Sequence, residues 1–120
     1  MSQEQGKPLE ELRVVLVDDH AMFRAGVRHE IGKMCQVVGE GHDVVSSVAS
    51  ILETKPDVVL LDLRLPDGSD PSRNARTLRT RGAAVIAYTS GDDPYLIRRA
   101  CEGGVLGVVR KSETPDVLIS

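Results

Sequence analysis

At 120 residues the chain has room for one domain and a single hydrophobic core. Its 41% hydrophobic residues, mixed charges and formal net charge of −3 are those of an ordinary soluble domain. They offer no global attraction to nucleic acid or to an anionic membrane. No stretch approaches the ~20 apolar residues of a membrane span. Cys35 and Cys101 have neither metal-type spacing nor a disulfide-framework pattern, so reduced, partly buried thiols in a cytoplasmic protein are expected.

Residues 1–11 are polar and lack a signal-peptide apolar core; they read as a flexible leader ahead of a domain spanning 12–120. Leu12 to Val17 reads as a first strand, running into Asp18-Asp19. Ala21 to Lys33 reads as a helix with Phe23, Val27 and Ile31 on one face. A shorter strand is expected over Cys35 to Gly39. Asp43 would then cap a helix to Glu53 that turns Val44, Val48, Ile51 and Leu52 inward. Thr54-Lys55-Pro56-Asp57 breaks that helix and launches the strand Val58 to Leu61, which runs into Asp62. Pro66-Asp67-Gly68 marks a turn before a polar helix from Pro71 to Arg81. Ala83 to Tyr88 is a fourth strand. Asp92-Asp93-Pro94 opens a fourth helix that Gly103-Gly104 ends. Val105 to Arg110 holds a fifth strand, running into Lys111. Residues 114–120 read as the first two turns of a further helix, which is the expectation for a fragment of a longer protein.

Strict alternation of strand and helix forces parallel strands with right-handed crossovers. The expected fold is therefore α/β: a three-layer, doubly wound, five-stranded parallel sheet with its last helix truncated. Ligands of such sheets bind at the carboxyl edge. Asp18, Asp19, Asp62 and Lys111 all fall at that edge. Carboxylates packed so closely repel unless a cation joins them, so the cluster implies a divalent metal and a phosphoryl group.

Asp62 is the candidate nucleophile, because a carboxylate on a fixed strand end can accept a phosphoryl group as an acyl phosphate. Asp18 and Asp19 would point to opposite faces on a strand, but a twist at its end can turn both toward the crevice. Two or three carboxylates with waters suit Mg²⁺. The competing reading makes the pair N-cap acids ahead of Ala21. Lys111 suits a phosphoryl oxygen, against the alternative of a snorkelling surface lysine. Thr89 and Ser90 offer hydroxyls at the same edge.

Asp18-Asp19-His20, Asp62-Leu63-Arg64-Leu65-Pro66-Asp67-Gly68, Thr89-Ser90 and Lys111 resemble the receiver domain of bacterial two-component response regulators. The segment from Val17 to Val27 is similar to the subfamily with a LuxR/NarL-type helix-turn-helix output. The resemblance implies a flavodoxin-like fold and phosphorylation of Asp62 by a sensor histidine kinase. It further implies Mg²⁺ held by Asp19, Asp62 and the backbone carbonyl of Arg64, and by Asp18 through water, with Thr89 and Lys111 on the phosphoryl oxygens. It implies a signalling module, not a turnover enzyme. A homodimer on activation is expected, and control of transcription through a DNA-binding domain outside this chain. Val108 stands near a place where receivers often carry an aromatic residue.

Other signals point less far. Gly39-Glu40-Gly41 lacks the third small residue of a dinucleotide loop, Val44 standing in its place. Arg73, Arg76 and Arg79 read as a solvated helix face, and His20 as a neighbour of the acidic pair or a kinase contact. Tyr95 fits a binding surface and a core position equally well. A haloacid-dehalogenase-like phosphatase would need an Asp where Arg64 stands. The alternative to a phosphoacceptor is a receiver-like interaction module that works without phosphorylation.

Overall fold

A computed structural model of the chain describes residues 8–65, 68–89 and 93–110. Five apolar runs become five parallel strands: β1 (Arg13–Val17), β2 (Gln36–Gly41), β3 (Val58–Asp62), β4 (Ala84–Thr89) and β5 (Gly107–Arg110). They form one sheet in the order β2-β1-β3-β4-β5. Between them run four helices: α1 (Ala21–Ile31), α2 (Val44–Thr54), α3 (Pro71–Arg79) and α4 (Pro94–Glu102). Strand order reverses between β1 and β3, the switch point at which this class of sheet opens a crevice.

Successive strand residues face opposite sides of a sheet, and each buried strand sorts accordingly. Val15, Val17, Val59, Leu61 and Val85 join Val44 and Ile51 of α2 and Ala75 and Leu78 of α3 in the larger core cluster. Val14, Leu16, Leu60 and Tyr88 join Val27 and Ile31 of α1 on the other side. Leu63 and Ala87 meet Ala100 of α4. Helices therefore cover both faces, in three layers.

Side chains set the helix ends. Asp43 accepts from the Ser46 amide at 2.8 Å, Asp70 from the Ser72 amide at 3.1 Å and Asp93 from the Tyr95 amide at 3.1 Å; each satisfies an orphan donor of a first turn. Pro71 and Pro94 occupy first-turn positions, where their missing N–H costs nothing. The chain leaves α2 through Lys55 in the left-handed region, φ 49°. At the end of α4, Gly103 lies so close to α3 that a Cβ would stand 2.6 Å from the Ser72 carbonyl oxygen.

Several expectations are corrected. Leu52 is 56% exposed, not inward, because the helical period carries it past the stripe formed by Val44, Val48 and Ile51. Cys101 is exposed, while Cys35 is buried; both are free thiols. Tyr95 is exposed at the surface. The strand β2 runs on through Glu40 to Gly41, so the glycine pair belongs to a strand and not a phosphate-binding loop. Its pairing with β1 continues as far as Val17 and Gly41. Helices α1 and α3 end two residues short of the expected Lys33 and Arg81. Within the expected leader, Leu9–Glu11 form one 3-10 turn. The segment 111–120, and with it the expected last helix, lies outside the described residues. Among the described residues no helix is long and apolar enough to cross a membrane.

Candidate functional site

Period-two placement builds the site from the strands. Two residues beyond Leu16 is Asp18, two beyond Leu60 is Asp62, and two beyond Ile86 is Tyr88. All three fall on the side of the sheet that α1 covers. Asp62 and Tyr88 are register partners, and β1 lies on the other side of β3. Asp18, Asp62, Tyr88 and Thr89 are all buried. Asp19 is exposed, so the end of β1 turns one carboxylate of the pair into the crevice and leaves the other at its rim.

Asp18 is held from two sides. Its Oδ1 accepts from the His20 backbone amide at 2.8 Å and lies 2.9 Å from His20 Nδ1. Its Oδ2 accepts from the Tyr88 hydroxyl at 2.9 Å. Burial pushes the Asp18 carboxyl upward, yet bonds from the His20 amide and ring, with Asp62 and Tyr88, outweigh it and hold the group below the usual carboxylate range. Burial first, then the Asp18 charge, pushes the Tyr88 hydroxyl far above its ordinary value, so it stays a donor at any physiological pH. The phenol ring stacks on Phe23 of α1, with centroids 5.5 Å apart.

Asp62 Oδ1 accepts from the Arg64 amide at 3.0 Å, and Oδ2 lies 3.6 Å from His20 Nδ1. The Arg64 guanidinium reaches Asp93, the N-cap of α4, at 3.1 Å. His20 occupies the N-cap position of α1 without capping it, so neither aspartate is an N-cap acid. Its ring is spent on the carboxylates instead.

Asp18, His20 and Asp62 each offer a ligand atom within 4.8 Å of the others. Two buried carboxylates from adjacent strands are hard oxygen donors of the kind Mg²⁺ takes while keeping several waters, so the residues fit that ion. Asp19 is not in this group. Lys111, Ser90, Pro66 and Asp67 lie outside the described residues, and Thr89 ends β4 on the sheet side opposite Tyr88.

Residues 14–120 match the response regulator receiver domain family. The chain belongs to that family. This receiver domain is 34% identical over 114 residues to the probable transcriptional regulatory protein NarL of Mycobacterium tuberculosis strain H37Rv, covering 92% of this chain and 52% of that protein. Among solved structures, the receiver domain of the putative response regulator NarL from the same species is 33% identical, with a TM-score of 0.77 and 89% of each chain covered. A LuxR-family two-component response regulator from Aurantimonas sp. SI85-9A1 is also 33% identical, with a TM-score of 0.80, covering 91% of this chain and 80% of the other. The chain spans about half the length of the curated relatives it matches. It is a receiver domain of the NarL/LuxR type.

Sequence reasoning missed Tyr88 as a member of the receiver's acidic site, reading it only as the end of a strand. The signal was available in one respect. Tyr88 is the one aromatic residue in the five buried runs, and a buried tyrosine hydroxyl needs a partner.

Proposed function

We propose that this receiver domain is a phosphoacceptor switch in which Asp62 takes a phosphoryl group from the phosphohistidine of a sensor kinase. The observation that carries this reading is the placement of Asp62. Its backbone is fixed at the end of a central strand, one carboxylate oxygen is held by the Arg64 amide, and the other faces the acidic crevice. In the transfer an Asp62 oxygen forms a bond to phosphorus as the bond from phosphorus to the kinase imidazole breaks. The imidazole leaves with that electron pair and takes up a proton.

Asp18 and Asp62 inside the crevice, Asp19 at its rim and the Arg64 carbonyl would hold Mg²⁺. The ion supplies positive charge to offset what develops on the transferring oxygens. Thr89 and Lys111 would bind those oxygens. The family relationship supports a cytoplasmic protein that dimerises on activation and drives a DNA-binding output domain in a longer regulator. The receiver itself acts as a signalling module that promotes its own phosphotransfer and dephosphorylation.

With acetyl phosphate or beryllofluoride and Mg²⁺, mass spectrometry is expected to find a single adduct on Asp62, absent from Asp62→Asn. No adduct on the unmodified chain, or the same adduct on Asp62→Asn, would return the domain to the alternative of an interaction module.

A further inference from the structure

The Tyr88–Asp18 bond joins strands that are not neighbours. β3 lies between β1 and β4, and the two residues are 70 apart in sequence. Tyr88 spans that gap because its ring lies on the α1 side beside its register partner Asp62, braced by Phe23. Its hydroxyl then reaches the Asp18 oxygen that His20 does not hold.

We propose that Tyr88 is a positioning residue of the divalent-cation pocket, clamping the Asp18 carboxylate across β3 in the orientation that receives the ion. The proposal rests on the reading of Asp18 and Asp62 as cation-binding groups. A carboxylate fully removed from water adopts one orientation only if its oxygens are paired, and a loosened one must be re-ordered each time an ion arrives. Between them, His20 and Tyr88 fix both oxygens. Hydrogen-bond partners that orient metal-binding groups typically change affinity by about 10–100-fold when removed.

The test is Mg²⁺ affinity, measured by calorimetry beside thermal stability. Tyr88→Phe keeps the ring and removes the hydroxyl, and is expected to weaken Mg²⁺ binding by about tenfold or more. Ile31→Val, which trims the same core cluster without touching Asp18, is expected to lower stability and leave affinity unchanged, a split that a merely structural role of Tyr88 would not produce. Spectroscopy adds an independent reading. The chain has two tyrosines and no tryptophan, so in Tyr95→Phe the tyrosine emission, excited where phenylalanine does not absorb, comes from Tyr88. Because that hydroxyl is bonded to the carboxylate, its emission should change saturably as Mg²⁺ fills the pocket.

Unchanged affinity in folded Tyr88→Phe overturns the clamp and leaves the cation pocket standing. Should Tyr88→Phe not fold, a Tyr88 emission that ignores bound Mg²⁺ overturns it instead. Failure of the unmodified chain to bind Mg²⁺ overturns both the clamp and the pocket.

Discussion

Asp62 and its neighbour in register, Tyr88, show how unequally a sequence advertises its chemistry. Asp62 stands out because an acid directly after Val58-Val59-Leu60-Leu61 has no ordinary reason to be buried. Tyr88 does not, because a large aromatic ending an apolar strand is what any core would accept. The same ambiguity surrounds His20, whose position next to the acidic pair was legible while its ring contacts with Asp18 and Asp62 were not. Gly103 is another residue whose role is invisible locally. It reads as a helix stop, yet what demands glycine is the Ser72 carbonyl of α3 packed against it. Gly103→Ala is therefore expected to destabilise the domain by about 1–3 kcal/mol, seen as a lower urea midpoint. An unchanged midpoint would mean that α3 and α4 can part at no cost.

At the scale of elements, capping was the most readable feature. Asp43 announced α2, and Asp93 with the first-turn Pro94 announced α4, with boundaries good to a residue or two. How the elements dock was not readable. The Arg99 guanidinium of α4 forks onto the Asp70 carboxylate at the start of α3, with contacts of 3.1 and 2.6 Å. The Arg99 hydrogen bond, chiefly, holds Asp70 below the usual carboxylate range. A carboxyl depressed by folding adds stability wherever it is ionised in both states, above the unfolded value of about 3.9. That increment fades as pH falls through the folded value, below about 4. The gap in melting temperature between the parent chain and Asp70→Asn should thus be present at pH 7 and shrink in acid. Added salt should narrow it too, since both partners are partly exposed. A gap that widened on acidification would contradict this coupling.

Across the whole molecule, stability is divided between the two faces of one sheet. The face covered by α2 and α3 carries the larger cluster, with Leu78 fully enclosed among Val59, Leu61 and Val85. Leu78→Ala leaves a cavity there and is expected to cost about 2–5 kcal/mol in chemical denaturation. The α1 face carries fewer buried apolar residues and ends in the acidic crevice. The same packing that completes the core on that side, Phe23 on Tyr88, also supports the ring that reaches Asp18.

Read alone, the chain determined the order and type of its elements, because the period of apolar residues and the chemistry of caps act over a few positions. It also determined that acids stand at the carboxyl ends of β1 and β3. Only the tertiary structure decided which strands are neighbours. That choice placed β3 between β1 and β4, turned Asp18 inward and Asp19 outward, and brought the Tyr88 hydroxyl across the sheet. Such outcomes depend on pairings between residues far apart in the chain, and no local pattern records where a distant side chain will come to rest.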